Sequence, residues 1–162
     1  MNASDRQAPT PDVVAEARKR VCDRVDELAD VLVATSHAIH AEPELNFEEH
    51  FAHGLLTDVL ADQGLRVVRG AYGLETAFEA EAGTEGPRLA VLCEYDALPG
   101  IGHACGHNVI ATAGPWVLAS PRQRWQTRWV VGSGSSVRRL RRVVAARSSW
   151  PIGGPLRTWR RQ

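Results

Sequence analysis

The sequence of 162 residues has no long apolar run and only three cysteines. No segment approaches the roughly 20 consecutive apolar residues that a transmembrane helix needs, so we expect no membrane association. The first residues, MNASDRQAPTPDVV, have no basic region followed by an apolar stretch and predict no signal peptide. Cys22, Cys93 and Cys105 have no spacing typical of a disulfide framework. Together these absences favour a reducing compartment, and we predict a cytoplasmic protein.

Acidic residues are missing from one part of the chain. Residues 115–162 contain 11 Arg and no Lys, Asp or Glu, whereas residues 1–114 hold all 19 Asp and Glu against 8 Lys and Arg. The formal net charge of zero therefore conceals −11 in the first part and +11 in the second. All five Trp also follow residue 114. We predict two parts of different character: a folded part, 1–114, and a basic tail, 115–162, that is poorly ordered because it has no sustained amphipathic period.

Residues 1–114 have patterns typical of alternating helices and strands. The predicted elements are helices over Asp12–His40, from Asn46 and from about Asn108, and strands at Leu65–Val68, Leu74–Ala82 and Arg88–Glu94. The last strand, RLAVLCE, is a nearly continuous apolar run, as in a central strand buried on both faces. Cys22 and Cys93 are predicted to be small buried residues. This order indicates the opening of an α/β domain.

The residues that carry chemistry are concentrated in CEYDALPGIGHACGHN (Cys93–Asn108). Ligands of open α/β sheets gather at the carboxyl ends of strands, where this stretch would lie. Cys105 and His107 are both of zinc-ligand type, and Gly106 between them lets the backbone bend so that both reach one ion. Asp96 is placed to orient a ligand. From spacing alone, a structural Cys beside a turn His and a thiol nucleophile both stay open as alternatives.

Two stretches, in the right order, resemble the zinc-dependent aminoacylase/carboxypeptidase family. The first, HAEPELNFEE (His40–Glu49), is similar to an H-x-x-P-E-x-x-F-E-E segment, and the second is the stretch quoted above. The nearest branch contains amidohydrolases acting on N-acyl amino acids, aminobenzoyl-glutamate and related dipeptides. The resemblance covers roughly His37–Gly114. It implies the N-terminal part of an α/β catalytic domain with two metal ions, usually zinc with manganese as the alternative, and a smaller dimerisation domain.

The resemblance also implies roles for particular residues. Cys105 and His107 would be metal ligands, and Asp96 would be the catalytic residue that orients a ligand. His103 is retained from the motif. Glu94 stands where other branches carry a ligand histidine. The reaction would be hydrolysis of an amide bond in a small-molecule N-acyl amino acid or dipeptide.

The remainder of such a site is missing from the sequence. In the family, the general base and one ligand are adjacent glutamates in an E-E-G-G-G-G segment downstream, and more histidines follow. This chain has no acid and no histidine after Asn108. Metal-assisted hydrolysis needs a base and further ligands. We therefore predict an incomplete metal site, no dimerisation domain, and a truncated chain with negligible activity.

A shift of the reading frame would account for the missing segment. Each shifted codon takes the last base of one codon and the first two bases of the next. If Arg141 and Arg142 use AGG and the wobble bases allow it, RLRRVVAAR (Arg139–Arg147) becomes P-A-E-E-G-G-G-G-K. We predict that the tail is read out of frame, with the break near Gly114.

Two other functions stay open as alternatives for this chain. The Arg/Trp-rich tail resembles a nucleic-acid-binding segment in composition, because Arg pairs with phosphates and Trp stacks on bases. Out-of-frame GC-rich DNA also yields Arg and Trp, so we expect no specific nucleic-acid partner. The other hypothesis is a metal binder that uses Cys105 and His107 alone, which predicts weak binding because two ligands hold zinc poorly.

Overall fold

Helices and strands alternate along the residues that the structure describes, which are 10–83, 88–116 and 126–132 in a computed structural model. A 3-10 turn, Ala71–Gly73, links the first two strands. The mixture of helix and sheet confirms the predicted α/β class. In chain order the elements are α1 Pro11–Glu27, α2 Ala29–Ala41, α3 His50–Asp62, β1 Arg66–Arg69, β2 Phe78–Ala82, β3 Arg88–Glu94, α4 His107–Trp116 and β4 Gln126–Gly132.

The helix predicted from Asp12 to His40 is interrupted once. Leu28 has φ −99° and ψ 0° and separates α1 from α2. Leu28 is buried, but α1 itself contains no buried residue. Cys22 in α1 is exposed, so the prediction that it is buried was wrong. The apolar residues of α1 recur at helical spacing, but α1 lies at the periphery and its inner face is only half-covered.

The start of α3 differs from the predicted capping arrangement. The pair of Asn46 with Glu49 predicted a helix from Asn46, whereas α3 begins after Glu49, which makes no side-chain capping bond. The carboxylate of Glu44 accepts the backbone N–H groups of Phe51 and Ala52 instead, at 2.7 and 2.9 Å. Glu44 therefore satisfies two of the donors that every helix leaves free at its first turn.

The four strands form one mixed sheet in the order β1-β2-β4-β3. β2 pairs antiparallel with β1 and with β4, and β3 pairs in parallel with β4. Among the described strands β3 thus lies at an edge, so the prediction that it is central was wrong. Val91 and Leu92 are accordingly only half-buried. The bounds of β3 agree with the prediction, whereas β2 starts later than predicted because residues 74–77 form a turn.

β4 belongs to the segment that was predicted to be poorly ordered. Its backbone runs beside β3 from the pair Arg88–Gln126 to the pair Glu94–Gly132. The predicted boundary at residue 114 falls inside α4. The other residues of the predicted tail, 117–125 and 133–162, lie outside the described residues. The division into 1–114 and 115–162 therefore stays a prediction, with a regular strand inside its second part.

The core positions both ends of the loop that joins β3 to α4. Phe78 and Tyr95 are fully buried and stack with ring centroids 6.1 Å apart. Cys93 is 1% exposed, as predicted. α4 packs against β3, and α2 packs against α4, so the loop starts and ends in packed structure. No helix in the described ranges is long and apolar enough to cross a membrane. The buried cluster consists of Leu28, Ile39, Ala52, Leu56, Leu60, Phe78, Ala80, Cys93, Tyr95 and Ala111.

Candidate metal centre

Glycines at positive φ shape the loop between β3 and α4. Leu98 and Gly102 exchange two backbone hydrogen bonds of 2.9 and 3.1 Å, which closes a small turn. Gly106 has φ +72°, in the left-handed region that glycine enters without steric cost. Its carbonyl accepts the N–H of Ile110 at 3.1 Å, so Gly106 starts α4. The backbone bend predicted at this glycine is present, and it puts His107 in the first turn of α4.

Asp96 and His107 are brought together across this loop. Nδ1 of His107 lies 3.0 Å from Oδ1 of Asp96 and 2.9 Å from the Asp96 backbone carbonyl oxygen. Both partners are acceptors, so Nδ1 must be the donor. In the neutral form of the ring, the lone pair then lies on Nε2. This is the contact that the predicted role of Asp96 requires, because a carboxylate commonly fixes the tautomer of a metal-binding histidine.

The two predicted metal ligands, His107 and Cys105, differ in exposure. The side chain of His107 is 19% exposed, whereas Cys105 is exposed and has a free thiol. The side chain of Asp96, the partner of His107, is 10% exposed. The donor types suit zinc, which takes thiolate and neutral imidazole. In the parts of the chain that are described, however, no three His, Cys, Asp or Glu side chains come together as a metal site. The residues present therefore supply a partial donor set.

His103 lies at the same loop and is held differently. It is 7% exposed, and neither ring nitrogen makes a hydrogen bond of good geometry in the described structure. Burial lowers the pKa of His103, and a backbone contact with Ile39 offsets this only in part. Its ring centroid lies 6.1 Å from that of His40. His103 is thus a buried imidazole, whose burial favours the neutral form, and it lies near the His of the first motif.

The residues that hold Asp96 in place were not identified from the sequence. On one side, the hydroxyl of Tyr95 donates to the backbone carbonyl of Thr76. On the other side, the N–H of Ala97 donates to the backbone carbonyl of Glu44 at 2.7 Å. Both neighbours of Asp96 in the chain are therefore anchored. Glu44 belongs to the segment HAEPELNFEE, which the sequence analysis singled out. The spacing of that segment did not indicate which part of the chain it would contact.

A second anchor fixes the start of α4. Nδ2 of Asn108 donates to Oγ of Ser36 in α2 at 3.0 Å. Asn108 is 6% exposed, so this bond is made inside the protein. Because Asn108 directly follows His107, the bond ties the candidate ligand to α2.

Comparison with curated proteins finds a dipeptidase and an amide hydrolase among the relatives. The chain is 47% identical to the Xaa-Arg dipeptidase of Mus musculus over 107 residues, covering 60% of this chain and 25% of that protein. It is 30% identical to a p-aminobenzoyl-glutamate hydrolase chain of Escherichia coli over 144 residues, covering 78% of this chain and 27% of that protein. The second alignment covers more of this chain than residues 1–114 make up, so it extends past residue 114. The chain spans about a quarter of the length of these curated relatives. No family model matches the chain.

Comparison with solved structures finds the same architecture. A dinuclear metal-binding peptidase of the M20 family from Bacillus subtilis matches with a TM-score of 0.58 and 21% identity, covering 67% of this chain and 36% of that one. A second match, with a TM-score of 0.61 and 16% identity, is a protein from methicillin-resistant Staphylococcus aureus that is provisionally described as an aminohydrolase. It covers 75% of this chain and 38% of that one. At these identities the likeness concerns the fold.

Proposed function

We propose that this chain, which is a relative of the M20 peptidases and amidohydrolases, carries part of a metal-dependent site that hydrolyses an amide bond. The observation that carries the proposal is the bond between Asp96 and Nδ1 of His107, which leaves Nε2 with a lone pair two residues from the exposed thiol of Cys105. A histidine with a purely structural role in a turn needs only a hydrogen bond to the backbone and no buried carboxylate as a partner. The buried carboxylate favours the metal interpretation.

The proposed substrate is an N-acyl amino acid or a dipeptide. The relatives are named for Xaa-Arg dipeptides and for p-aminobenzoyl-glutamate. In both compounds an amide joins an acyl or aminoacyl group to an amino acid.

The chain's own residues would hold the metal and orient its ligand. Cys105 and His107 would bind a divalent ion, preferably zinc, with manganese as the alternative. When bound, such an ion lowers the pKa of a coordinated water and polarises the amide carbonyl. Asp96 would keep His107 in the tautomer that presents Nε2. The three cysteines are free, as a cytoplasmic location would keep them.

We propose that the 162 residues by themselves turn over substrate poorly. Hydrolysis needs a base that removes a proton from the attacking water. After Asn108 the sequence contains no Asp, Glu or His that could serve as the base or as a third ligand. The nucleic-acid alternative for the tail gains no support from the relatives named above.

Zinc binding and turnover test the proposal separately. Isothermal calorimetry should detect weak zinc binding that is lost in Cys105→Ala and in His107→Ala. Maleimide labelling, followed by mass spectrometry, should show that zinc slows modification at Cys105 and leaves Cys22 unchanged as the internal control. If zinc protects both thiols equally, or neither, the metal assignment is wrong.

The activity assay uses an Xaa-Arg dipeptide, p-aminobenzoyl-glutamate and N-acetyl amino acids, with zinc or manganese added. We expect the 162-residue chain to release amino acid no faster than Cys105→Ala does. Turnover far above that variant would contradict the proposed inactivity while supporting the proposed reaction.

A further inference from the structure

The residues before and after Asp96 are both held by hydrogen bonds, and the bonds on the Tyr95 side connect to the buried Glu49. The hydroxyl of Tyr95 donates to the backbone carbonyl of Thr76, and the side-chain hydroxyl of Thr76 donates to Oε2 of Glu49 at 2.6 Å. Tyr95 and Glu49 are both 0% exposed and Thr76 is 3% exposed. Two hydrogen bonds, joined through the backbone and hydroxyl of Thr76, therefore connect the residue after β3 to the residue that precedes α3.

The placement of Glu49 is unusual for a glutamate at a helix start. Such a residue normally lies in water, where its charge interacts favourably with the N-terminal end of the helix dipole. Glu49 is instead enclosed, and within the described ranges its Oε1 is buried without a hydrogen bond of good geometry. Burial raises the pKa of Glu49, and the nearby charge of Asp96 adds to the rise, while the Thr76 hydroxyl works against it. A buried acid that is not needed to cap its helix calls for another role.

The capping role is already filled by a different acid. Glu44 accepts the first free N–H groups of α3 through its carboxylate. Its carbonyl also accepts the N–H of Ala97, on the other side of Asp96. Glu44 thus contacts the residue after Asp96 directly, through its backbone carbonyl. Glu49 is linked to the residue before Asp96 through Thr76, whose hydroxyl binds the buried Glu49 carboxylate and whose backbone carbonyl accepts the Tyr95 hydroxyl.

We propose that Glu49 is a positioning residue for the candidate metal centre: through Thr76 and Tyr95 it fixes the end of β3, and thereby the Asp96 carboxylate that holds Nδ1 of His107. The expected effect of Glu49 on metal affinity rests on the proposed function. Its expected effect on the tautomer of His107 does not depend on any metal. The hydrogen bonds of the Glu49 side chain reach the predicted ligand His107 only by way of Thr76, Tyr95 and Asp96.

The test reads the tautomer of His107 by ¹⁵N NMR in the full chain without metal. The wild type should show protonation at Nδ1, held by Asp96. Glu49→Ala should move the ring toward the Nε2-protonated tautomer that is favoured in free imidazole side chains. Glu49→Gln keeps an acceptor for Thr76 and has the same size, so it should retain the wild-type tautomer. Glu48→Ala is the matched control, because Glu48 is the adjacent acid and is exposed.

Zinc affinity gives the second readout. Loss of a residue that supports a ligand weakens metal binding by roughly 10–100-fold. We expect a loss of that order in Glu49→Ala, and near-normal affinity in Glu49→Gln and Glu48→Ala. If the tautomer shifts but the wild type binds no zinc, the positioning role stands and the proposed function fails. If zinc binds and Glu49→Ala leaves both the tautomer and the affinity unchanged, the positioning role is refuted.

Loss of folding in Glu49→Ala would not end the test. Circular dichroism identifies that outcome, and Tyr95→Phe and Thr76→Val then replace it. Each removes one hydroxyl of the path with little change of shape. At least one of them should shift the His107 tautomer in a folded protein, and unchanged spectra in both would overturn the proposal.

Discussion

Gly114 of α4 lies so close to Cys93 of β3 that a Cβ atom built on the glycine would come within 2.3 Å of the cysteine Sγ. This is far inside van der Waals contact, and the sulfur is buried. The absence of a side chain at Gly114 is therefore what lets α4 approach the strand that leads into the candidate site.

Gly114→Ala should lower the free energy of unfolding. Overpacking of a core typically costs about 1–3 kcal/mol, and the better helix propensity of Ala returns up to about 1 kcal/mol. Urea unfolding measures the net loss. Adding Cys93→Ala removes the clashing sulfur, so the double variant should be more stable than the sum of the two single changes predicts. Simple additivity would show that the two residues are not in contact.

The three cysteines should react very differently with a maleimide. Cys22 and Cys105 are exposed, whereas Cys93 is buried, and burial raises the pKa of its thiol to about 12. Since the thiolate is the nucleophile, Cys93 should stay unmodified in the folded protein and react only in denaturant. Mass spectrometry of the native sample should count two adducts per chain. The variant Cys93→Ala should give the same count, and three adducts in the native protein would contradict the packing of β3.

Removal of the Glu44 carboxylate should destabilise α3. Glu44→Ala leaves two N–H groups of the first turn without a side-chain acceptor, and loss of such a cap costs about 0.5–2 kcal/mol. The backbone carbonyl that binds Ala97 is kept, so the change isolates the cap. Urea midpoints of Glu44→Ala and of Glu42→Ala, an exposed acid two residues earlier, give the comparison. Equal midpoints would show that Glu44 does not cap the helix.

Glu49 should make stability fall as pH rises. Its pKa is raised in the folded state above the usual value of 4.5, mainly by burial and further by Asp96. The folded protein therefore binds the proton more tightly than the unfolded chain does. The stabilisation is fully present below pH 4.5 and is lost as pH rises through the folded-state pKa. Urea unfolding across this range should show a downward slope for the wild type and for Glu48→Gln. Glu49→Gln should flatten it, and an unchanged slope would mean that Glu49 ionises normally.

The local part of the site could be predicted from the sequence. The bounds of β3 and the bend at Gly106 depend on residues within one short stretch, so spacing and residue type were sufficient. The sequence placed Asp96 to orient a ligand but did not identify His107 as its partner, which is seen in the structure. The apolar run predicted β3 correctly as a strand but not as an edge strand. A strand's place in a sheet depends on partners elsewhere in the chain, and here the neighbour is β4.

The support around the site depends on longer-range contacts and could not be predicted. Glu44 caps a helix from seven and eight residues away, outside the three-residue spacing that sequence patterns detect. The path from Glu49 through Thr76 to Tyr95 joins three separate elements. A charged residue is normally expected in water, so the burial of Glu49 has no signal in its own neighbourhood.

The nucleotide sequence should decide the origin of residues 115–162. We expect the shifted frame downstream of Gly114 to be free of stop codons and to read E-E-G-G-G-G across RLRRVVAAR. Arg141 and Arg142 are the sharp test, because the shifted frame reads E-E-G across them only if both codons are AGG. CGN or AGA at either position, or a stop codon, would end the frameshift hypothesis. The alignment that covers 78% of the chain extends past residue 114. Sequencing should therefore run from the codon of Ala111 through Arg147, so that a break downstream of Gly114 is also found.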